Sequence, residues 1–343
     1  MIITKTPFRM SFFGGGTDIP EYFNNNRGSV ISTTFDKYVY VTVRHLPRFF
    51  EYTTEIEYSR QERVTNVDDI QHPMVRNAMK YLDMHELHIS YDADLPSRTG
   101  LGTSSTFAVG LLNAFYSLKG KYASKEQLAK DAIHVERVMC NEAGGWQDQI
   151  AASYGGFNRI DFENGEFRVT PLIISPERKK ALDENLMLFF TGFTRFSADI
   201  QESTKSSLAD NEDRLNQILS LVDEAQDILV NKERDLDDFG RLLDVTWRLK
   251  KGVSNQITSD SIDELYDKGI KAGALGGKLL GAGGGGFLLF YVPKKKQKAV
   301  RRALRLMEVP FQFENNGTRV VYFAPEVYDI EGNLEDSSDE EIE

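Results

Sequence analysis

Leu95-Pro96-Ser97-Arg98-Thr99-Gly100-Leu101-Gly102-Thr103-Ser104-Ser105-Thr106 is the stretch on which the reading of this chain turns. Before it, Leu87-His88-Ile89-Ser90-Tyr91 alternates apolar and polar residues, as a strand does. After it, Phe107-Ala108-Val109-Gly110-Leu111-Leu112-Asn113-Ala114-Phe115 is apolar on nearly every side, as a buried helix is. No charged residue follows Thr106 until Lys119, so this helix belongs in a core with only its tip exposed. The order is strand, glycine-rich loop, helix N-terminus. Gly100 and Gly102 let the backbone approach a ligand with no Cβ in the way. The hydroxyl residues Thr103 to Thr106 sit where N-caps belong. The free N–H groups of the first turn, with the helix dipole, favour an anion. The stretch predicts a phosphate cradle with hydroxyls available to a metal ion. An ordinary capped helix after a loop would use the same residues. No Gly-x-x-x-x-Gly-Lys-Ser/Thr occurs, so the loop is not a Walker A loop.

A chain of 343 residues has room for one large or two medium domains. Its 41% hydrophobic and 27% charged content is that of a soluble globular enzyme. The single cysteine, Cys140, excludes an intramolecular disulfide and fits a reducing compartment, where it reads as a small buried apolar residue. Met1-Ile2-Ile3-Thr4-Lys5 lacks the apolar core of a signal peptide, and no run approaches membrane-spanning length. A cytoplasmic location without a membrane partner is expected. The net charge of -11 is uneven: residues 329–343 hold eight acidic side chains and no Lys or Arg, which leaves about -3 for the body. Neither part suits a nucleic-acid partner. The tail 329–343 reads as a solvated, disordered end.

Residues 2–13 read as strand material interrupted by Pro7. Gly14-Gly15-Gly16-Thr17-Asp18 follows and, with Arg9, makes a polar cluster between apolar walls. A tight turn with a surface salt bridge would need one or two glycines; the third points to a ligand. Two β-rich runs, 29–35 and 38–43, predict strands with a turn at Asp36-Lys37, and residues 51–59 continue in that style. Residues 73–82 read as a helix. Ser124 opens another helix running to about Met139, with Leu128, Ala132, Val135 and Met139 as its apolar stripe and Glu136 beside it. The loop 141–149 then carries Asp148 among glycines and polar residues, as a catalytic loop does. A solvated helix face for Glu136 and an N-cap for Asp148 are the plainer alternatives. Asn164-Gly165 marks a β-hairpin across 160–169. A domain boundary is expected near Ser175-Pro176-Glu177, followed by a strand at 186–191 and charged helices over about 197–230 and 233–252 with solvated faces. Gly281 to Gly286 formally matches Gly-x-Gly-x-x-Gly. The order is wrong for a dinucleotide fold, because a helix-like stretch, 262–274, precedes the glycines and a strand, 287–292, follows them. Residues 294–305 read as an amphipathic helix with Val300, Leu304 and Met307 inward. The Asn316-Gly317-Thr318 sequon has no use in a cytoplasmic chain.

Three motifs now stand in order: Pro7-x-Arg9 with Gly14 to Asp18; Pro96 to Ser105; and Lys278 to Gly286. Together they resemble the GHMP kinase superfamily, from about Ile2 to Phe323. The resemblance implies a two-domain α+β fold, with an N-terminal domain (1–176) like domain 2 of ribosomal protein S5 and a ferredoxin-like C-terminal domain (177–328). It implies that Gly100, Leu101, Gly102, Thr103, Ser104 and Ser105 wrap the phosphates of ATP. Ser104 and Glu136 would hold Mg²⁺, and Lys278 to Gly286 would back the phosphate loop. Asp148 would orient or deprotonate the accepting hydroxyl, with Arg9 beside it. Thr103 stands where serine is usual, and keeps a hydroxyl. Gly15, Gly16, Thr17, Asp18, Gly145 and Arg195 would meet the substrate; Lys250 and Lys251 are equally basic candidates beside Arg195 for a substrate phosphate, with a solvated helix face as their plainer reading. Galactokinases carry Glu and His at the positions of Gly15 and Gly16; glycines remove a negative charge there and open volume that tolerates a phosphate. With residues 190–197 and the four-glycine late motif, the chain looks most like D-glycero-α-D-manno-heptose 7-phosphate kinases, sugar 1-kinases that make the 1,7-bisphosphate for GDP-heptose and surface polysaccharide. A kinase for fucose, a hexose or a hexose phosphate, and a non-catalytic nucleotide sensor, are the alternatives. A monomer or homodimer is expected.

Overall fold

The computed structural model describes residues 1–97, 99–192, 211–254, 257–281 and 283–325. Arg195 and the acidic tail 329–343 fall outside the described residues. In chain order the first half forms β1 (Ile2–Phe13), α1 (Pro20–Phe23), β2 (Gly28–His45), β3 (Thr54–Glu57), β4 (Gln61–Val64), α2 (Pro73–Tyr81), β5 (Leu87–Ala93), α3 (Thr103–Leu118), α4 (Lys125–His134), α5 (Gln147–Tyr154), β6 (Phe157–Glu163) and β7 (Glu166–Pro171). The second half forms α6 (Pro176–Asn185), β8 (Leu186–Phe190), α7 (Glu212–Val230), α8 (Asp237–Lys251), α9 (Asp260–Lys271), β9 (Gly276–Leu279), β10 (Phe287–Tyr291), α10 (Gln297–Leu304), β11 (Met307–Val309), β12 (Phe313–Glu314) and β13 (Arg319–Phe323).

Two sheets organise these elements. The larger has the order β13-β1-β2-β5-β3-β4, with β12 and β6 also paired to β2 and β7 paired to β6. Its pairings are antiparallel except β3 with β5. Helix α3 lies against β1 and β2 and is enclosed by α4 and α5. Phe107, Leu111, Leu112 and Phe115 of α3 are buried. Each such side chain is worth about 1.5–3 kcal/mol of burial. That anchoring presents the helix tip, where Ser104 is exposed, to the cavity. The smaller sheet, β11-β8-β10-β9, is antiparallel and carries α8 against β9. Phe239 of α8 meets Phe12 and Phe13 edge-on, at 5.3 and 5.1 Å between ring centres, which joins the second sheet's layer to the first strand.

Several expectations are corrected. No turn occurs at Asp36-Lys37, and Pro7 interrupts nothing: β1 and β2 both run straight through. Pro7 pairs with Tyr38 and Phe8 with Phe35, so Asp36 and Lys37 form a bulge opposite the residue that has no N–H to donate. The Asp36 N–H donates instead to the Gln312 carbonyl, and Gln312 N–H to Asp36 Oδ1. The late glycines join two strands, because Gly276–Leu279 is itself a strand. Met307 is exposed and begins a strand rather than closing a helix face. The end of the 177–328 segment also joins the first sheet. β12 and β13 return to the first sheet, pairing Glu314 with Thr34 and Phe323 with Ile2. The hairpin at Asn164-Gly165 forms as expected, with both residues at positive φ.

Candidate active site

One cavity of about 890 Å³ is lined by residues from all three glycine-bearing motifs. At its centre the Arg9 guanidinium grips Asp148 through two parallel bonds, Nε to Oδ1 at 2.7 Å and Nη2 to Oδ2 at 2.9 Å. Its Nη1 donates to the Gly100 carbonyl at 2.8 Å, which ties the pair to the glycine loop. Arg9 projects from β1, and Asp148 stands in the first turn of α5. Such a fork fixes the orientation of a carboxylate as well as its charge.

Asp18 is buried one layer away. Its Oδ1 accepts from the Gly16 N–H at 3.0 Å and its Oδ2 from the Gln147 N–H at 3.3 Å. Burial, with the Asp148 charge second among the raising influences, pushes its pKa upward. A Cβ on Gly145 would lie 1.9 Å from Asp18 Oδ2, so only glycine lets this loop close on the carboxylate.

The hydroxyls of α3 face a second carboxylate. Ser104 Oγ donates to Glu136 Oε1 at 2.8 Å, and Gln149 Nε2 donates to Oε2. Glu136 lies in a π-helical turn, Val135–Met139, which continues α4 and widens the backbone at this point. Burial and then the Glu142 charge push Glu136 up to about 7. Among the described residues Glu136 has no ion pair, and Thr103 Oγ1 is buried without a hydrogen-bond partner. A buried carboxylate beside a hydroxyl, under N–H groups that no side chain caps, fits a hard divalent cation carried in with phosphate oxygens. The late glycines pack directly on this loop: a Cβ on Gly281 would lie 2.2 Å from Gly100 Cα.

Two lysines complete the floor. Lys278 of β9 is buried and donates to the Phe12 carbonyl at 2.9 Å. Lys250, in the last turn of α8, donates to the Gly281 carbonyl. Burial first and then the Arg9 charge lower Lys250 to about 8. Burial, then the charges of Lys250 and Arg9, also lower Lys278 well below the usual lysine value. Beyond the glycine loop the cavity ends in aromatic rings: Tyr91 stands 4.2 Å from Phe107, and His72 5.4 Å from Phe107 and 5.1 Å from Tyr58.

The model of GHMP kinases N terminal domain matches residues 71–156, and that of GHMP kinases C terminal matches residues 225–308. The D-glycero-alpha-D-manno-heptose 7-phosphate kinase of Campylobacter jejuni is 32% identical over 321 residues, covering 89% of this chain and 93% of that protein. The chain belongs to the GHMP kinases. Among solved GHMP-type folds, the D-glycero-D-manno-heptose 1-phosphate kinase from Bacteroides thetaiotaomicron superposes with a TM-score of 0.71 at 25% identity, covering 94% of this chain and all of that one. A mevalonate kinase of Pyrococcus horikoshii is 27% identical over 227 residues, covering 64% of this chain and 63% of that protein. The fold is thus the two-domain α+β fold of a small-molecule GHMP kinase.

In this GHMP kinase, Arg9, Gly15, Gly16, Asp18, Gly100, Gly102, Thr103, Ser104, Ser105, Glu136, Gly145 and Asp148 line the one cavity. Two expected residues do not. Leu101 is fully buried in the apolar core and offers the loop only its backbone. Thr17 is fully buried too; its Oγ1 donates to the Gly14 and Ser29 carbonyls, so it holds the turn together instead of facing a ligand. Ser11 and Gln147 line the cavity beyond the residues expected there, and so does Lys250, one of the basic residues offered beside Arg195 for a substrate phosphate. The signal for Lys250 was its spacing: Leu243, Thr246, Trp247 and Lys250 share one helix face, and the first three are buried.

Proposed function

We propose that this GHMP kinase transfers the terminal phosphoryl group of ATP to the anomeric hydroxyl of a heptose 7-phosphate, giving the 1,7-bisphosphate used for GDP-heptose. The observation that carries the sugar phosphate is the wall at Gly15 and Gly16. A Cβ at Gly15 would meet Ser11 Oγ at 3.6 Å and Gln147 Nε2 at 3.8 Å, ordinary contact distances, so a side chain could start there and glycine leaves that space to a ligand. Ser11 Oγ and Gln147 Oε1 are buried beside it without partners, as hydroxyl-binding groups would be before a sugar arrives. No carboxylate projects from positions 15 and 16 to repel a phosphate. The likeness to the Campylobacter heptose 7-phosphate kinase supports the same reading.

In this reading Asp148, aligned by Arg9, accepts the proton of the attacking hydroxyl. Phosphoryl transfer asks for position and charge neutralisation more than for covalent help. The N–H groups opening α3 and the loop Gly100 to Ser105 cradle the phosphates, and the rings of Tyr58, His72, Tyr91 and Phe107 form the apolar end suited to a base. Ser104 and Glu136 hold Mg²⁺, which when bound neutralises phosphate charge.

The test is ADP release with MgATP against heptose 7-phosphate, mannose 6-phosphate, galactose, fucose and mevalonate, with phosphorus NMR of the product. Turnover on heptose 7-phosphate with a new anomeric phosphate signal is expected. Turnover confined to an unphosphorylated acceptor would discard the reading of Gly15 and Gly16 while keeping the kinase.

A further inference from the structure

We propose that Lys250 is a catalytic residue whose ammonium group grips the phosphoryl group in transit, from the C-terminal side of the cleft. The inference rests on the phosphotransferase reading above and holds for whichever acceptor is used.

Placement carries the first part of the argument. Leu243, Thr246 and Trp247 are buried and fix the last turns of α8. The Lys250 side chain then reaches Gly281, the residue that packs on Gly100 of the phosphate loop. Its ammonium therefore stands where the glycine hairpin, the phosphate loop and the Arg9–Asp148 pair converge.

The second part is the state of the neighbouring cations. Arg9 has Nε and Nη2 committed to Asp148 and Nη1 to Gly100. Lys278, also on the cavity floor, is buried and donates to the Phe12 carbonyl. Lys250 gives one of its three N–H donors to a neutral carbonyl, and among the described residues it makes no ion pair. The adjacent Lys251, by contrast, pairs with Asp263 at 3.0 Å. A largely desolvated ammonium without a carboxylate is costly to keep, and an anionic ligand is what offsets the cost. The charged groups acting on Lys250 are Arg9 on β1, Asp18 after it, Asp148 on α5 and Lys278 on β9. Lys250 adds a positive charge beyond the closed Arg9–Asp148 pair, and that charge suits a phosphoryl group.

In the step itself, the acceptor oxygen forms a bond to the terminal phosphorus, and the bond from that phosphorus to the bridging oxygen of ADP breaks with its electron pair. The hydroxyl proton goes to Asp148. Lys250 keeps its proton and supplies charge to the moving group, as preorganised cations do.

A strut that merely holds the Gly281 carbonyl would use the same contact, so the test separates the two. Single-turnover transfer, MgATP affinity and melting temperature are measured for wild type, Lys250→Met and Lys250→Arg. Expected is a loss on the order of 10²–10³-fold in the transfer rate for Lys250→Met, with affinity and melting temperature nearly unchanged. Lys250→Arg should recover at least roughly tenfold of that loss, since it keeps the charge. The wild-type kcat/KM, which reports the free enzyme, should also fall above about pH 8 as the ammonium deprotonates, and Lys250→Arg should move that limb upward. A transfer rate for Lys250→Met within about threefold of wild type overturns the proposal. So does a loss seen only in nucleotide affinity, acceptor KM or melting temperature. Those failures leave wild-type turnover intact, whereas failure of the kinase reading appears as a wild-type protein that phosphorylates no acceptor.

Discussion

At the scale of single residues, the Arg9–Asp148 fork is the part of the site that the sequence disclosed most directly. Its two members lie far apart in the chain, and only the order of the motifs joined them. Replacing Asp148 with Ala should lower turnover on the order of 10²–10⁴-fold while nucleotide still binds, since the hydroxyl loses its proton acceptor and the phosphate loop keeps its backbone donors. Near-normal kcat would remove Asp148 from that role. At Gly15 the available space lets a larger side chain enter without disturbing the backbone. Gly15→Glu should then raise KM for a phosphorylated sugar well beyond its effect on KM for ATP, by charge repulsion. Equal changes in the two constants would sink the pocket argument. In the sequence Lys250 stands level with Lys251, because a lysine near the end of a charged helix reads as solvated unless its position is counted against the buried face. Thr17 was over-read for the opposite reason: a hydroxyl beside a glycine turn serves the turn as readily as a ligand.

Elements were legible wherever local chemistry fixes them. Ser124 accepts an N–H bond from Gln127 and starts the helix expected there, whereas Ser175, which accepts from Arg178 and caps α6, reads in the sequence only as a domain boundary. The strand material of β1 and β2 was legible but its continuity was not, because Pro7 and Asp36-Lys37 are each breakers when seen alone. Facing each other across one bulge, they cancel. Helix α6 shows a different strain. Asp183 Oδ1 is buried without a partner, and burial, then the charges of Asp36 and Glu184, pushes its pKa to about 6. A carboxyl whose folded pKa lies above its unfolded value favours folding while protonated and loses that contribution as pH rises from about 4 through 6. Asp183→Asn should therefore raise the melting temperature at pH 8, by on the order of 1 kcal/mol once screening at this half-exposed site is allowed for, and change little at pH 4. Thermal melts at the two pH values decide it; an equal shift at both would mean that ionisation is not the cause.

For the whole molecule, the family matches end at residue 308, yet the structure does not treat the following segment as an appendage. Thr318 bonds to Thr6 and Asn113, and β13 covers the outer edge of β1. Truncation after Pro310 should leave β1 as an open edge and give a protein that melts much lower or aggregates. Soluble yield and a circular-dichroism melt check this; an unaltered melt would show that the first sheet closes without β13. The two-domain architecture itself was legible from three motifs and their order. The return of the chain to its first sheet was not, since pairing between strands more than 300 residues apart leaves no local trace.

That same pairing sets a condition on synthesis. Arg9 is carried on a strand whose outer neighbour is made only after residue 319 has been polymerised. At roughly 5–20 residues per second, the ribosome needs on the order of 15–60 seconds to reach it. Through that interval Ile2 to Lys5 wait with one flank unzipped, while Arg9, further along the same strand, already has Thr34, Gly100 and Asp148 to set it.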